Sequence, residues 1–218
     1  MRTGTYTFDA DSWTIPSGEL NATAAIKIDL NKIEELGSLY DDYVLPLRIT
    51  SSTGEPMGQN KYTKVLAHIG FKNDYSGTYS GKGIITQQGT TYTTEITSTQ
   101  LYAINNNICY MFVGEKTRAN TPDYLNYVVE IERDEWGGIT LSSEVGSLEF
   151  KSYNSKLSRK YTYNYNDQRY YTEITTVELA YEYLDKTQSE DLRMTFEGSF
   201  SMSRDVLRVE YPNVDVEE

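Results

Sequence analysis

The stretch Leu192–Met202 alternates without a break. Leu192, Met194, Phe196, Gly198, Phe200 and Met202 fall on one parity, and Arg193, Thr195, Glu197, Ser199 and Ser201 on the other. A period of two is what a strand requires when one face meets a core and the other meets water. A helix with this pattern would scatter its apolar residues around its whole circumference. The same period recurs at Ala22, Ala24, Ile26, Ile28 and Leu30, at Tyr43, Leu45, Leu47 and Ile49, at Thr63, Val65, Ala67 and Ile69, and at Leu125, Tyr127, Val129 and Ile131. Pro46 has no N–H for a ladder, so its strand is expected at an edge or with a bulge. In Tyr170–Leu184, the residues Val177, Leu179, Tyr181 and Tyr183 share one face while Ile174 has the other parity, which predicts a β-bulge or bend near Thr175–Thr176. Only Asn31–Tyr40, with Ile33, Leu36 and Tyr40 nearly in register, hints at a short helix.

Turn-forming clusters separate these runs: Asp74-Tyr75-Ser76-Gly77, Gln87-Gln88-Gly89, Asn105-Asn106-Asn107, Glu135-Trp136-Gly137-Gly138 and Asn164-Tyr165-Asn166-Asp167. Short strands punctuated in this way predict an all-β chain built as an antiparallel sandwich or barrel. A boundary is expected near Gly70. Residues 1–70 are short for an independent domain, because small domains bury proportionately little surface. Residues 71–218 suit a barrel or sandwich of about eight to ten strands.

Composition narrows the partners. Apolar residues make up 38% of the 218, and 20 tyrosines supply much of the strand-forming surface. The net charge of −12 and the absence of Lys/Arg clusters exclude nucleic acid, whose phosphates demand clustered cations. Anionic membrane surfaces are disfavoured for the same reason. No stretch reaches the roughly 18–20 apolar residues of a transmembrane helix. Met1-Arg2-Thr3-Gly4 is not followed by an apolar signal core, so the polypeptide is expected to be either cytoplasmic or a mature or trimmed form. Cys109, the only cysteine, lies in the apolar run Ile108–Val113 and is expected to be a buried small hydrophobe rather than a nucleophile.

Two stretches carry a family resemblance. Trp13-Thr14-Ile15-Pro16-Ser17-Gly18-Glu19, followed by Ala24–Ile28 and then by Tyr43-Val44-Leu45-Pro46-Leu47-Arg48-Ile49-Thr50, resembles the immunoglobulin-like N-terminal domain of cell-surface lipoproteins of gut Bacteroidetes. The section from Ser76-Gly77-Thr78-Tyr79 onward is similar to the β-barrel domain that follows it in the same proteins. The resemblance implies a partial immunoglobulin-like sandwich over 1–70, lacking its first strands, and a barrel-like domain over 71–218. It also implies an extracytoplasmic setting beside glycan-uptake machinery, with any lipid anchor outside this sequence.

A search for chemistry ends on surfaces rather than catalytic groups. His68 is the only histidine, no Gly-x-Ser-x-Gly elbow occurs, and one His with one Cys leaves a transition-metal site without ligands. No cofactor is called for. Glu130, Glu132, Asp134 and Glu135 form the densest acidic cluster, but the first two occupy the outward face of a strand. Asn164, Asn166 and Asp167 could meet a Ca²⁺ in a loop, although EF-hand spacing is absent. The aromatic residues are more suggestive. Tyr161, Tyr163 and Tyr165 share a face if extended, with Asp167 and Arg169 nearby, and Trp136 occupies a turn. Rings with polar tips suit stacking against sugars, whereas cross-strand pairing of the tyrosines is the structural alternative. Together with the family resemblance, these residues lead to the expectation of a non-enzymatic module of a cell-surface lipoprotein, contributing to glycan binding or presentation. The alternatives are a lipocalin-like barrel around a small apolar ligand and a structural or partner-docking domain.

Overall fold

The computed structural model describes residues 4–19, 21–29, 31–32, 43–53, 63–134, 136–187 and 190–217. The chain divides into two compact units, Met1–Gly70 and Phe71–Glu218. In the first, β1 (Tyr6–Phe8) pairs antiparallel with β2 (Ile26–Ile28), and β3 (Tyr43–Arg48) with β4 (Lys64–Ile69). Strand β3 is hydrogen-bonded on one side only among the described residues, so Pro46 opposite Leu66 leaves no central ladder broken. Asn31 and Lys32 are helical, and residues 33–40 of the stretch that hints at helix lie outside the described residues.

Among the described residues, the second unit is one ten-stranded sheet. Its strands are β5 (Gly77–Gln87), β6 (Thr93–Ala103), β7 (Ile108–Phe112), β8 (Val128–Arg133), β9 (Ile139–Ser142), β10 (Lys151–Ser152), β11 (Lys156–Tyr163), β12 (Tyr170–Asp185), β13 (Leu192–Leu207) and β14 (Val216–Glu217). They run in the order β14-β11-β12-β13-β5-β6-β7-β8-β9, with β10 pairing β12 beyond the end of β11. Every pairing is antiparallel except β11 with β14. Strand β10 also lies beside β9, so the sheet curls around its own core, but among the described residues hydrogen bonding does not close it into a barrel.

The inward faces follow the alternation closely. Met194, Phe196 and Phe200 of β13 are buried, with Val177, Leu179, Tyr181 and Tyr183 opposite them on β12. Each fully buried side chain of this size contributes about 1.5–3 kcal/mol of transfer free energy. Tyr79, Leu101, Met111, Ile131 and Leu148 belong to the same cluster. The glycines of the pattern make room for these rings. Gly83 and Gly198 face each other across β5 and β13, and a Cβ on Gly198 would lie 2.6 Å from the Phe200 ring.

Two local expectations fail. No bulge interrupts β12, whose sixteen residues pair with β13 in unbroken register from Tyr170↔Leu207 to Asp185↔Leu192. The inward face continues through Thr175 and Glu173, polar groups that find partners inside, so the strand need not slip to bury Ile174. A bulge does occur two strands away, in β5 between Ser80 and Gly83. In addition, Tyr124–Tyr127 forms a 3-10 turn, and the strand run expected from Leu125 begins only at Val128.

Candidate functional site

The β11–β12 hairpin decides the fate of the tyrosine row. Register sets Tyr161 opposite Glu173 and Tyr163 opposite Tyr171, so Tyr161 and Tyr163 do share a face. That face is the inward one, since it has the parity of Leu157, Val177 and Phe200. The β11–β13 ribbon runs on past β5, whose pairing with β13 stops at Ser80↔Ser201. The chain after β13 then turns back over this overhang. The Tyr211 ring lies 5.9 Å from Tyr161. The Arg208 guanidinium lies 5.0 Å from the Tyr163 ring and 4.7 Å from Tyr171, within cation–π range. The Tyr161 hydroxyl donates to Glu173 Oε2 at 3.0 Å, and burial, followed by the charge of Glu173, raises its pKa.

Tyr165 stands apart from this packing. It lies beyond the end of β11, in the turn, with 86% of its surface exposed. Asn164 Oδ1 accepts the backbone N–H groups of Asn166 and Asp167, an Asx arrangement that shapes the turn and occupies that oxygen. Asp167 and Arg169 close on each other at 2.6 Å. Hydrogen bonds from the Arg169 side chain, and then from its backbone, hold the Asp167 carboxyl down to about 2.

Trp136 occupies the turn between β8 and β9 with 93% of its surface exposed. Asp134 Oδ1 accepts the N–H groups of Trp136 and Gly138, and Gly137 supplies the left-handed φ of 87° that the turn needs. Register places this turn and the tyrosine turn at one end of the sheet. The path runs through Glu132↔Ile108, Cys109↔Ala103, Leu101↔Gly77, Ser80↔Ser201 and Thr175↔Arg159. Of the six candidate residues, Trp136 and Tyr165 thus present the most open rings, at the same sheet end. Tyr161 and Tyr163 are engaged by their own chain, although Tyr163 keeps 40% of its surface exposed, and Asp167 and Arg169 neutralise each other.

A buried ionic cluster escaped the sequence reading. Glu173 has no solvent exposure, and its Oε1 accepts from Arg204 Nε and Nη2, each at 2.9 Å. Thr175 Oγ1 donates to the same carboxylate at 3.3 Å. Arg159 lies on the same inward face and reaches Asp74 at 3.4 Å. Burial works against the charge of Arg159, but Glu173 and Asp74 outweigh it and raise its pKa. The available signal was the polar inward parity of Glu173 and Thr175, which the apolar Ile174 between them disguised. Cys109 sits beside the Asn73 amide at 3.3 Å, and burial pushes its thiol up to about 12. At neutral pH it is therefore a thiol rather than a nucleophilic thiolate. Among the described residues, no group of three or more His, Cys, Asp or Glu side chains is placed to hold a metal ion. No helix there is long and apolar enough to cross a membrane.

Comparison with known proteins places this architecture. Over 94–99% of this chain, the fold matches several Bacteroides crystal structures. One is a multidomain protein including DUF1735 from Bacteroides ovatus, at 18% identity and a TM-score of 0.76, with 98% of this chain and 73% of that one aligned. A protein of unknown function from the same species has 20% identity and a TM-score of 0.78, with coverage of 99% and 72%. An auxiliary nutrient binding protein from Bacteroides thetaiotaomicron has 17% identity and a TM-score of 0.74, with coverage of 94% and 68%. At these identities the likeness is one of fold. No curated protein matches the sequence. An N-terminal-domain family profile matches residues 1–56, and a C-terminal-domain profile matches residues 63–201. Since the second match spans more than half of the 218 residues, the chain belongs to the family which that C-terminal domain defines.

Proposed function

We propose that this chain is a non-catalytic module that binds glycan outside the cytoplasm, in the service of a surface nutrient-uptake assembly. The observation that carries the reading is the pair of exposed rings, Trp136 and Tyr165, on turns at one end of the sheet. Sugars present C–H faces to such rings and hydroxyls to nearby polar groups, and a ring left open to solvent on a structured turn is available for that contact. The fold of the Bacteroides auxiliary nutrient binding protein supports the setting. The first unit is read as an immunoglobulin-like domain, a reading that its match to an N-terminal-domain profile supports.

The packing favours surface binding over a ligand enclosed by the sheet. Met194, Phe196, Phe200 and Tyr183 fill the described interior, where a lipocalin-like protein would hold its ligand. The test is a glycan array followed by calorimetry on the intact chain. Trp136→Ala and Tyr165→Ala are each expected to weaken glycan binding about tenfold without lowering Tm. Absence of binding to every glycan on the array would overturn the reading and favour a structural or partner-docking role.

A further inference from the structure

At the sheet end opposite Trp136 and Tyr165, a cleft of about 400 Å³ opens where β5 and β12 end and β6 and β13 begin. Its volume falls within the roughly 300–1,000 Å³ range of small-molecule sites. The inner wall is apolar, formed by Ile85, Tyr183 and Met194 of the core. The wall continues into a fixed ionic floor. Lys116 Nζ donates to Asp185 Oδ2 at 2.7 Å and to Thr187 Oγ1 at 2.9 Å, and both members of the ion pair are largely withdrawn from water. The Lys116 ammonium also lies 5.3 Å from the centre of the Tyr127 ring. These contacts hold the floor in one arrangement before any ligand arrives, which limits the ordering cost of binding.

The rim is different in character. Tyr92, just before β6, leaves 58% of its surface exposed beside the cleft, and its hydroxyl accepts from Thr94 Oγ1 at 3.1 Å. Glu115 and Glu190 are exposed at the same rim. With Asp185 they outnumber Lys116, so the cleft repels anions. Exposed carboxylates accept strong, charge-assisted hydrogen bonds from hydroxyl groups. An aromatic face, an apolar wall and surplus acceptors together match a ligand that has a C–H face and many O–H donors but no negative charge.

We propose that this cleft is a second saccharide site, taking a neutral sugar whose ring lies on Tyr92 and whose hydroxyls donate to Glu115 and Glu190. It is separate from the Trp136 and Tyr165 end and does not depend on it. The test is an NMR titration of the full chain, following the methyl signals of Ile85 and Met194 and the indole N–H of Trp136. The probes are neutral tetrasaccharides of glucose, mannose and xylose, with a tetramer of galacturonic acid as the anionic control. At least one neutral tetramer is expected to shift the Ile85 and Met194 methyls at saturation. Tyr92→Ala, with an unchanged Tm, should raise the midpoint of that shift about tenfold, and Glu190→Gln should raise it as well. The proposal is overturned if these methyls stay still with every neutral probe, if the galacturonate tetramer shifts them equally, or if Tyr92→Ala leaves the midpoint unchanged. Failure of the first site would appear separately, at the Trp136 indole.

Discussion

Glu173 carries its carboxylate at zero solvent exposure, whereas the side chain of its partner Arg204 is 32% exposed. This asymmetry sets the order of two substitutions. Removing Arg204 strands a charge that water cannot reach, while removing the charge of Glu173 leaves a guanidinium that can hydrate and lean towards Asp74, 3.9 Å away. Arg204→Ala is expected to lower stability by about 3 kcal/mol, and Glu173→Gln by clearly less, as read from urea unfolding midpoints. The reverse order would mean that Arg159 alone can hold Glu173. Cys109 offers a second test at this scale. Its thiol should resist disulfide-exchange and alkylating reagents at pH 8 and react fully once urea unfolds the chain. Because its pKa is raised in the folded state to about 12, the stability it contributes is intact below the unfolded value of about 8.5 and is lost as pH rises from there. Burial shifts Tyr79, Tyr181 and Tyr183 in the same direction. Unfolding midpoints should therefore fall between about pH 9 and 11. The burial of Cys109 was legible, because an apolar run surrounds it. The pairing of Glu173 with Arg204 was not, because nothing in a linear pattern says which two strands meet.

At the scale of elements, β13 was the most readable part of the chain and β12 the most misleading. Both are sixteen residues long and pair along their whole lengths. In β13 every inward position is apolar or glycine up to Met202, so period and burial agree. In β12 the inward face changes from apolar to ionic at Thr175, and parity read from Ile174 alone pointed to a bulge that the strand does not have. The glycines of β5 and β13 show what the alternation leaves unsaid. Gly198 fits the apolar parity only as a gap, filled by the parallel rings of Phe196 and Phe200, whose centroids are 6.2 Å apart. Gly198→Ala is expected to destabilise by about 1–3 kcal/mol through overpacking. Gly81→Ala, at the β5 bulge, should cost more. Its Cβ would fall 2.1 Å from the Ser199 backbone oxygen and 2.6 Å from Phe200 Cα, a tighter backbone clash than the 2.8 Å between a Gly198 Cβ and Gly83 Cα. Thermal unfolding of the two variants checks the ranking.

At the scale of the whole molecule, the net charge of −12 opposes compaction at neutral pH. Added salt screens that repulsion, so Tm should rise between about 20 mM and 500 mM NaCl; relief of about 1 kcal/mol corresponds to about 2–4 °C for a chain of this size. The all-β class followed from the sequence itself, because a period of two needs only neighbouring residues to be read. Charge likewise argues against a nucleic-acid partner at the level of sequence, since it is a sum over residues and needs no fold. Tertiary structure alone decided which tyrosines remain open. Tyr161, Tyr163 and Tyr165 look equivalent along the chain. The hairpin ends at Tyr163, and the returning segment lays Arg208 and Tyr211 over the first two rings. Tyr165 is left in the turn at the sheet end that also carries Trp136. Strand register and a contact made some fifty residues later in the chain set that difference, and neither is a property of local sequence.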